Sequence, residues 1–344
     1  MSHLRFDVAT NDWVVFAPSR ALRPKDLAEP QPESTSSQNP ANCPFCPGNE
    51  AFTPPEIYAV RSSDERSLPF WKVRVFPNKF PALRIEESPT RSEDENHFLS
   101  MGGCGAHEVI VESPAHNTPL AQQPVEQVEL VLNTLQLRYR DLMRDQRFQA
   151  VILFKNHGVA AGTSLQHPHW QLIATPIVPH LLRRQHIEAE EYYDRHGACL
   201  FRVMLERELA AASRMLVGND DYAAYLPFAS HVPFETWIMP RRPQSSFTHV
   251  EPRQMRSLAE LLRVSLLKLH TGLDNPDFNL TIDDVPRGEE DKEHFQWHIR
   301  ILPRLSTPAG FELGSGMSIN TVLPEEAAAF LREVPVSCEP VSKR

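Results

Sequence analysis

The sequence predicts an α+β fold of two tandem halves, each an antiparallel sheet with a flanking helix. Three observations predict it. Thirty-one prolines against 13 glycines point to many short strands with hard stops. Two amphipathic stretches of similar length follow a helical spacing. Four consecutive segments also repeat in one register, 127 residues apart.

The first copy opens at 107–116 (HEVIVESPAH), a short strand ended by proline, and its counterpart is 234–243 (FETWIMPRRP), with Glu108 matched to Glu235. A helix follows over 124–145, where Val125, Val128, Leu132, Leu135, Tyr139 and Leu142 share a face; at 251–272, Met255, Leu258, Leu262 and Leu269 do the same. Strand-like 151–156 (VILFKN) maps onto 278–283 (FNLTID), and 167–176 (HPHWQLIATP) onto 294–303 (HFQWHIRILP), which sets His167 against His294 and His169 against Gln296. A coincidence of common α+β patterns is the competing account. The organisation that follows is an N-terminal half at 1–176, a helical insertion at 177–221 and a degenerate C-terminal half at 222–344. The polar, proline-rich stretch 27–41 reads as a loop.

The net charge is −9 and no basic run stands out, so nucleic acid is not expected as a partner. The N-terminus has no apolar core of a signal peptide, and no segment approaches the roughly 18–20 apolar residues of a membrane span. Five cysteines do not suggest a disulfide scaffold. The expectation is a cytoplasmic protein.

The chemistry concentrates around 156–171. On a strand, His167, His169 and Gln171 point one way and Trp170 and Leu172 the other. Pro168 marks a strand start or an edge. Three polar side chains on one face are costly unless they line a site or face solvent. The preceding segment, Asn156-His157-Gly158 through Gly162-Thr163-Ser164, has the small residues and hydroxyls of a loop that approaches phosphate oxygens. A neutral imidazole beside such a cradle can attack an α-phosphorus, with Gln171 donating to the phosphoryl oxygens as charge builds. Cys43-Pro-Phe-Cys46 has the spacing of half a tetrahedral zinc site. Histidines should complete it: His116 and His167 are the natural candidates, with His107 and Cys104 as runners-up for the third position. A redox pair is the alternative reading.

With these residues in place, the sequence resembles the galactose-1-phosphate uridylyltransferases, the transferase branch of the histidine triad superfamily. The resemblance covers almost the whole chain and implies two histidine-triad-like halves. It rests on Asn11-Asp12-Trp13 with Ser19-Arg20-Ala21-Leu22-Arg23, on the Cys43/Cys46 pair, on Phe76-Pro77-Asn78-Lys79-Phe80, on Ser113-Pro114-Ala115-His116 and on His167-Pro168-His169. It implies zinc on Cys43, Cys46, His116 and His167, and a nucleotidyl group carried on His169. It also implies substrate contacts from Arg20, Arg23, Asn78, Asn156, Gly162, Ser164, Gln171 and Asn320. Gln171 in place of a third histidine implies transfer to a phosphate acceptor rather than hydrolysis. The implied reaction is UDP-glucose:hexose-1-phosphate uridylyl transfer by a ping-pong route, with a nucleotide sugar and a sugar phosphate or phosphate as partners. A homodimer is compatible with that reading.

There are departures. Trp170 stands where glycine is usual. The second half has His298-Ile299-Arg300 where some members hold a second metal through His-x-His. The stretch 309–320, ending in Asn320, is similar to the subgroup that includes ADP-glucose phosphorylase, which moves AMP instead of UMP. A zinc-stabilised nucleotide sensor is the reading without catalysis.

Overall fold

Each segment of the repeat forms an element because each has one apolar face to bury. The computed structural model describes residues 2–20, 40–61 and 71–336. It begins with the hairpin β1 (His3–Asp7) and β2 (Asp12–Phe16). Then come β3 (Tyr58–Arg61), β4 (Trp71–Pro77), a small hairpin of β5 (Arg91–Glu93) and β6 (Leu99–Met101), and β7 (Ala106–Val111). Helix α1 (Val125–Leu142), β8 (Ala150–His157) and β9 (His169–Thr175) complete the first copy. Helices α2 (His180–His196) and α3 (Leu200–Ala211) follow. The second copy comprises β10 (Met215–Gly218), β11 (Tyr222–Tyr225), β12 (Thr236–Pro240), α4 (Pro252–Gly272), β13 (Phe278–Asp283) and β14 (His298–Pro303). The tail adds α5 (Gly310–Ser315), β15 (Ile319–Asn320) and α6 (Pro324–Glu333). Helix α4 starts where Pro252 takes the first turn and the Glu251 N–H donates to Gln254 Oε1 at 3.1 Å.

Among the described residues ten strands form one sheet in the order β10-β11-β12-β14-β13-β8-β9-β7-β4-β3. Read outward from β8 and β13, the two halves present the same sequence of strands. The seam is antiparallel, from Phe278 against His157 to Ile282 against Leu153. Helices α1 and α4 pack on one face, burying Val128, Leu132, Leu135, Met255, Leu258 and Leu262 against Leu153, Trp170, Leu172 and Leu280. On the other face α2 and α3 cover the second half, with Leu182, Phe201 and Leu205 against Tyr225, Trp237 and Met239. Among the described residues no helix is long and apolar enough to cross a membrane.

The order of elements repeats, with two corrections to the register. Val109 pairs with Gln171 and Trp237 with Arg300, so the first strand of the second copy is displaced by one residue from the 127 offset, and Glu108 matches Thr236 rather than Glu235. Val151 pairs with Ala174, whereas Phe278, its counterpart, pairs with Pro303. The last strand of the second copy is therefore displaced by two residues from the 127 offset. His298, not Gln296, is the counterpart of His169, and Arg300 that of Gln171. The connection before β14 (284–297) is longer than the one before β9 (158–168), and the extra length absorbs the slip. A two-residue slip leaves every side chain on its original face, so the alternation of the sequence is blind to it.

Leu153 and Leu280 are fully buried on the seam strands. Leu280→Ala should lower stability by about 2–5 kcal/mol, measured by urea unfolding. Leu137→Ala, on the exposed side of α1, should cost under about 0.5 kcal/mol.

Candidate active site and metal centre

A tight turn aims the two thiols the same way: the Cys46 N–H donates to Cys43 O at 3.2 Å, and Asn49 Nδ2 donates to the same oxygen at 2.8 Å. His116 follows the proline-broken end of β7, and His167 precedes β9. Cys46 Sγ lies 3.2 Å from His116 Nδ1 and 3.5 Å from His167 Nδ1, and Cys43 Sγ lies 3.7 Å from His167 Nδ1. All four ligand atoms fall within 4.8 Å of one another. His167 Nε2 meets Ser113 O at 2.8 Å. A carbonyl only accepts, so Nε2 carries the proton and the Nδ1 lone pair faces the thiols. Burial, with the Cys43 sulfur beside it, pushes the Cys46 thiol up to about 12; a cation is what would favour the thiolates. The group can hold a metal ion. His116, and not the runners-up, lies beside the thiols; His107 is engaged with Gln171 and Cys104 is buried at a bridge to Arg84.

Strand β9 begins directly after Pro168 and lies between β7 and β8, so the proline marks a start and not an edge. Trp170, Leu172 and Ala174 enter the main core, as the alternation requires. His169 faces the other way. Its Nδ1 meets His167 O at 2.8 Å, which places the proton on Nδ1 and leaves a lone pair on Nε2. Burial lowers its pKa to about 4, with the Lys155 charge adding in the same direction against the carbonyl bond. Phe45, between the two cysteines, packs edge-on to His169 with centroids 5.2 Å apart.

Two amides share the face of His169. Gln171 Oε1 lies 2.8 Å from His107 Nε2 and 3.5 Å from Asn78 Nδ2. The Ala82 N–H donates to His107 Nδ1 at 3.1 Å, so His107 Nε2 is the protonated nitrogen and donates to Gln171. Phe154 opposes Gln171, and Asn156, two residues on, shares its face. Asn156 Oδ1 accepts from Asn279 Nδ2 at 2.9 Å. Both amides thus have their oxygens satisfied and their NH₂ groups left to donate, the polarity an anionic oxygen requires.

The loop before β9 is braced from the second half. Asn279 Nδ2 also donates to Ala161 O at 2.9 Å, and the Ala160 N–H donates to Asp277 Oδ2 at 2.6 Å. Gly158 and Gly162 have φ of 82° and 87°, which suit glycine. A Cβ on Gly158 would sit 1.7 Å from Asp277 Oδ1. The N–H groups of Ala160, Gly162 and Thr163 are spent within the protein, so side chains carry more of any phosphate recognition than the loop's composition suggests. Ser164 lies in this loop.

The other expected contacts stand apart from these. Arg20 ends a turn at Pro18–Arg20 and is exposed. The Ala17 N–H just before that turn donates to Asn320 O, linking it to β15 beside β2. Asn320 is buried, its Nδ2 donating to Ser230 O at 2.9 Å and its Oδ1 accepting from the Val322 N–H at 2.9 Å, so its amide is used inside the fold. Arg23 lies outside the described residues, as does most of the 27–41 loop.

The sequence offered His107 only as a runner-up ligand and gave no sign of its bond to Gln171; it also gave no sign of Asp277 or of a buried ion pair, Lys155 Nζ to Glu112 Oε1 at 2.6 Å, beneath His169. Burial raises the Glu112 carboxyl, opposed by the Lys155 charge. In the second half His298 repeats the geometry of His169, with Nδ1 3.2 Å from Gln296 O. There the resemblance ends: His298 stacks on Trp237 at 4.4 Å and meets Phe201 of α3, while Arg300 pairs with Asp283 at 2.7 Å. That position is plugged.

Residues 1–179 match the family described as galactose-1-phosphate uridyl transferase, N-terminal domain, which is more than half of the chain. The chain belongs to the galactose-1-phosphate uridylyltransferase family. Residues 104–333 also match a domain of unknown function, DUF4921. Among relatives, an ADP-glucose phosphorylase of Arabidopsis thaliana is 32% identical, over 97% of this chain and 93% of that one. A galactose-1-phosphate uridylyltransferase of Thermotoga maritima is 28% identical, over 98% and 99%. The crystal structure of the Arabidopsis ADP-glucose phosphorylase with bound ADP-glucose superposes with a TM-score of 0.83 at 30% identity, covering 98% of this chain and 100% of that one. A uridylyltransferase structure gives 0.73 at 25%, covering 97% and 98%. The family's members among these relatives are transferases, and the chain is an enzyme of that kind.

Cys43→Ser and His167→Ala should each lose most bound metal by elemental analysis and lower the melting temperature. His169→Ala should keep its metal, because its ring is turned from the thiols by the bond to His167 O.

Proposed function

We propose that the protein moves a nucleoside monophosphate from a nucleotide sugar to a phosphate-bearing acceptor, through a covalent intermediate on His169. The observation that carries this is the Nδ1–H bond of His169 to His167 O, which leaves Nε2 as a nucleophile between two donor amides. Nε2 attacks the α-phosphorus, a P–N bond forms, and the P–O bond to the sugar phosphate breaks. An acceptor phosphate oxygen then attacks the same phosphorus, and the P–N bond breaks. Gln171 and Asn156 donate to the phosphoryl oxygens as their charge grows. Glutamine at 171 fits transfer to phosphate rather than hydrolysis.

The ion is zinc in this reading. Thiolate and imidazole bonds of about 2.3 and 2.0–2.1 Å at tetrahedral angles separate S and N by roughly 3.5 Å, and the S–N distances here run from 3.2 to 3.7 Å. Bound by Cys43, Cys46, His116 and His167, it would crosslink the turn at 43–46 to the start of β9. A reducing, cytoplasmic setting suits such thiols.

The higher identity and TM-score toward ADP-glucose phosphorylase favour ADP-glucose as donor and orthophosphate as acceptor. The uridylyl reading, with UDP-glucose and a hexose 1-phosphate, is supported by the family match over residues 1–179.

Incubation with ADP-glucose or UDP-glucose alone should leave about one nucleotidyl group per chain, seen by intact mass. The adduct should be labile in acid and survive base, and His169→Ala should abolish it. No adduct with either donor on active enzyme, together with intersecting rather than parallel initial-rate lines, would refute the mechanism. Gln171→Ala should lower turnover by about 10²–10³. His107→Ala should lower kcat by a smaller factor with KM little changed, since it acts only by orienting that amide.

A further inference from the structure

Away from His169, three side chains converge where the helices after β9 meet the long connection before β14. His186 lies on α2, on the side that buries Leu182 and Ala189. His294 and Glu289 belong to the 284–297 connection, whose extra length displaces β14. His186 Nε2 lies 3.0 Å from His294 Nε2 and 3.7 Å from Glu289 Oε2. All three ligand atoms lie within 4.8 Å of one another. The rings are held by packing: His294 is buried, the two imidazoles meet edge to face at 89°, and Phe295 stacks on His186 at 22°.

We propose that His186, His294 and Glu289 form a second metal site, for a divalent cation of the zinc class, fastening α2 to the connection before β14. A neutral N–H···N bond would account for the two imidazoles but gives no part to the carboxylate approaching the same nitrogen. A cation takes all three. Two imidazoles and one carboxylate select zinc-class ions over magnesium or calcium, which favour all-oxygen shells. Bonds of 2.0–2.1 Å at tetrahedral angles separate ligand atoms by roughly 3.3 Å, between the two separations found. The Cys43/Cys46 group of this same chain shows comparable convergence. The site is distinct from the His298-Ile299-Arg300 segment, where Arg300 is engaged with Asp283. With three protein ligands, a water would complete the shell, so this ion should be held less tightly than one on four side chains.

The test is a cobalt titration of the full-length protein after chelator treatment. Wild type should take up two equivalents of Co²⁺. One should show thiolate-to-cobalt charge transfer and vanish in Cys43→Ser. The other should show ligand-field bands without charge transfer, be the first stripped by chelator, and weaken by about tenfold or more in His294→Ala and in Glu289→Gln. Glu289→Gln changes a side chain that is a third exposed, so it decides the matter if His294→Ala unfolds, with far-UV circular dichroism as the control. A single equivalent in wild type, or a second equivalent that persists unchanged in Glu289→Gln, would overturn the site.

Discussion

The pairing of β8 with β13 is the constraint on which the rest depends. It joins two copies of a strand-helix-strand-strand unit, each extended by two outer strands, into one sheet of ten described strands. It also sets α1 beside α4 over a single core. Because Asn279 lies on the seam opposite Asn156, its amide reaches both Asn156 and the loop at 161, and Asp277 reaches the N–H of Ala160. The loop beside His169 therefore takes its bracing from the other half. In the second copy Trp237 and Phe201 pack against His298, the counterpart of His169.

Backbone carbonyls decide which nitrogen of each critical imidazole is available. Ser113 O takes the Nε2 proton of His167 and turns its Nδ1 to the thiols. His167 O takes the Nδ1 proton of His169 and leaves Nε2 outward. One residue thus links both positions, its ring toward the thiols and its carbonyl toward His169. Carbonyls cannot donate, so neither tautomer can drift without breaking a buried bond, which leaves an unsatisfied group costing about 1–3 kcal/mol.

Sequence was informative where chemistry is local. The alternation of His167, His169 and Gln171 against Trp170 and Leu172 follows from strand geometry alone, and the two helices of the repeat declare themselves by apolar spacing. The Cys43/Cys46 spacing implied histidine partners and ranked His116 ahead of His107 and Cys104, but only the coordinates show His116 beside the thiols. Nothing local marks His107 as the partner of Gln171, because that contact depends on the β7–β9 register. Asp277 and Glu112 likewise act across strands distant in sequence. The two-residue slip of β14 was hidden because strand periodicity cannot distinguish a shift of two from none.

Gly158 and Asp277 touch across the seam, and the space between them admits no Cβ. Any side chain at 158 demands a smaller residue at 277 first, yet trimming 277 removes the acceptor for Ala160 before anything replaces it. The two positions are consequently coupled: a substitution at either one is felt in the packing and hydrogen bonding of the other. The seam thereby makes the backbone of one half a limit on the side chains the other half can carry.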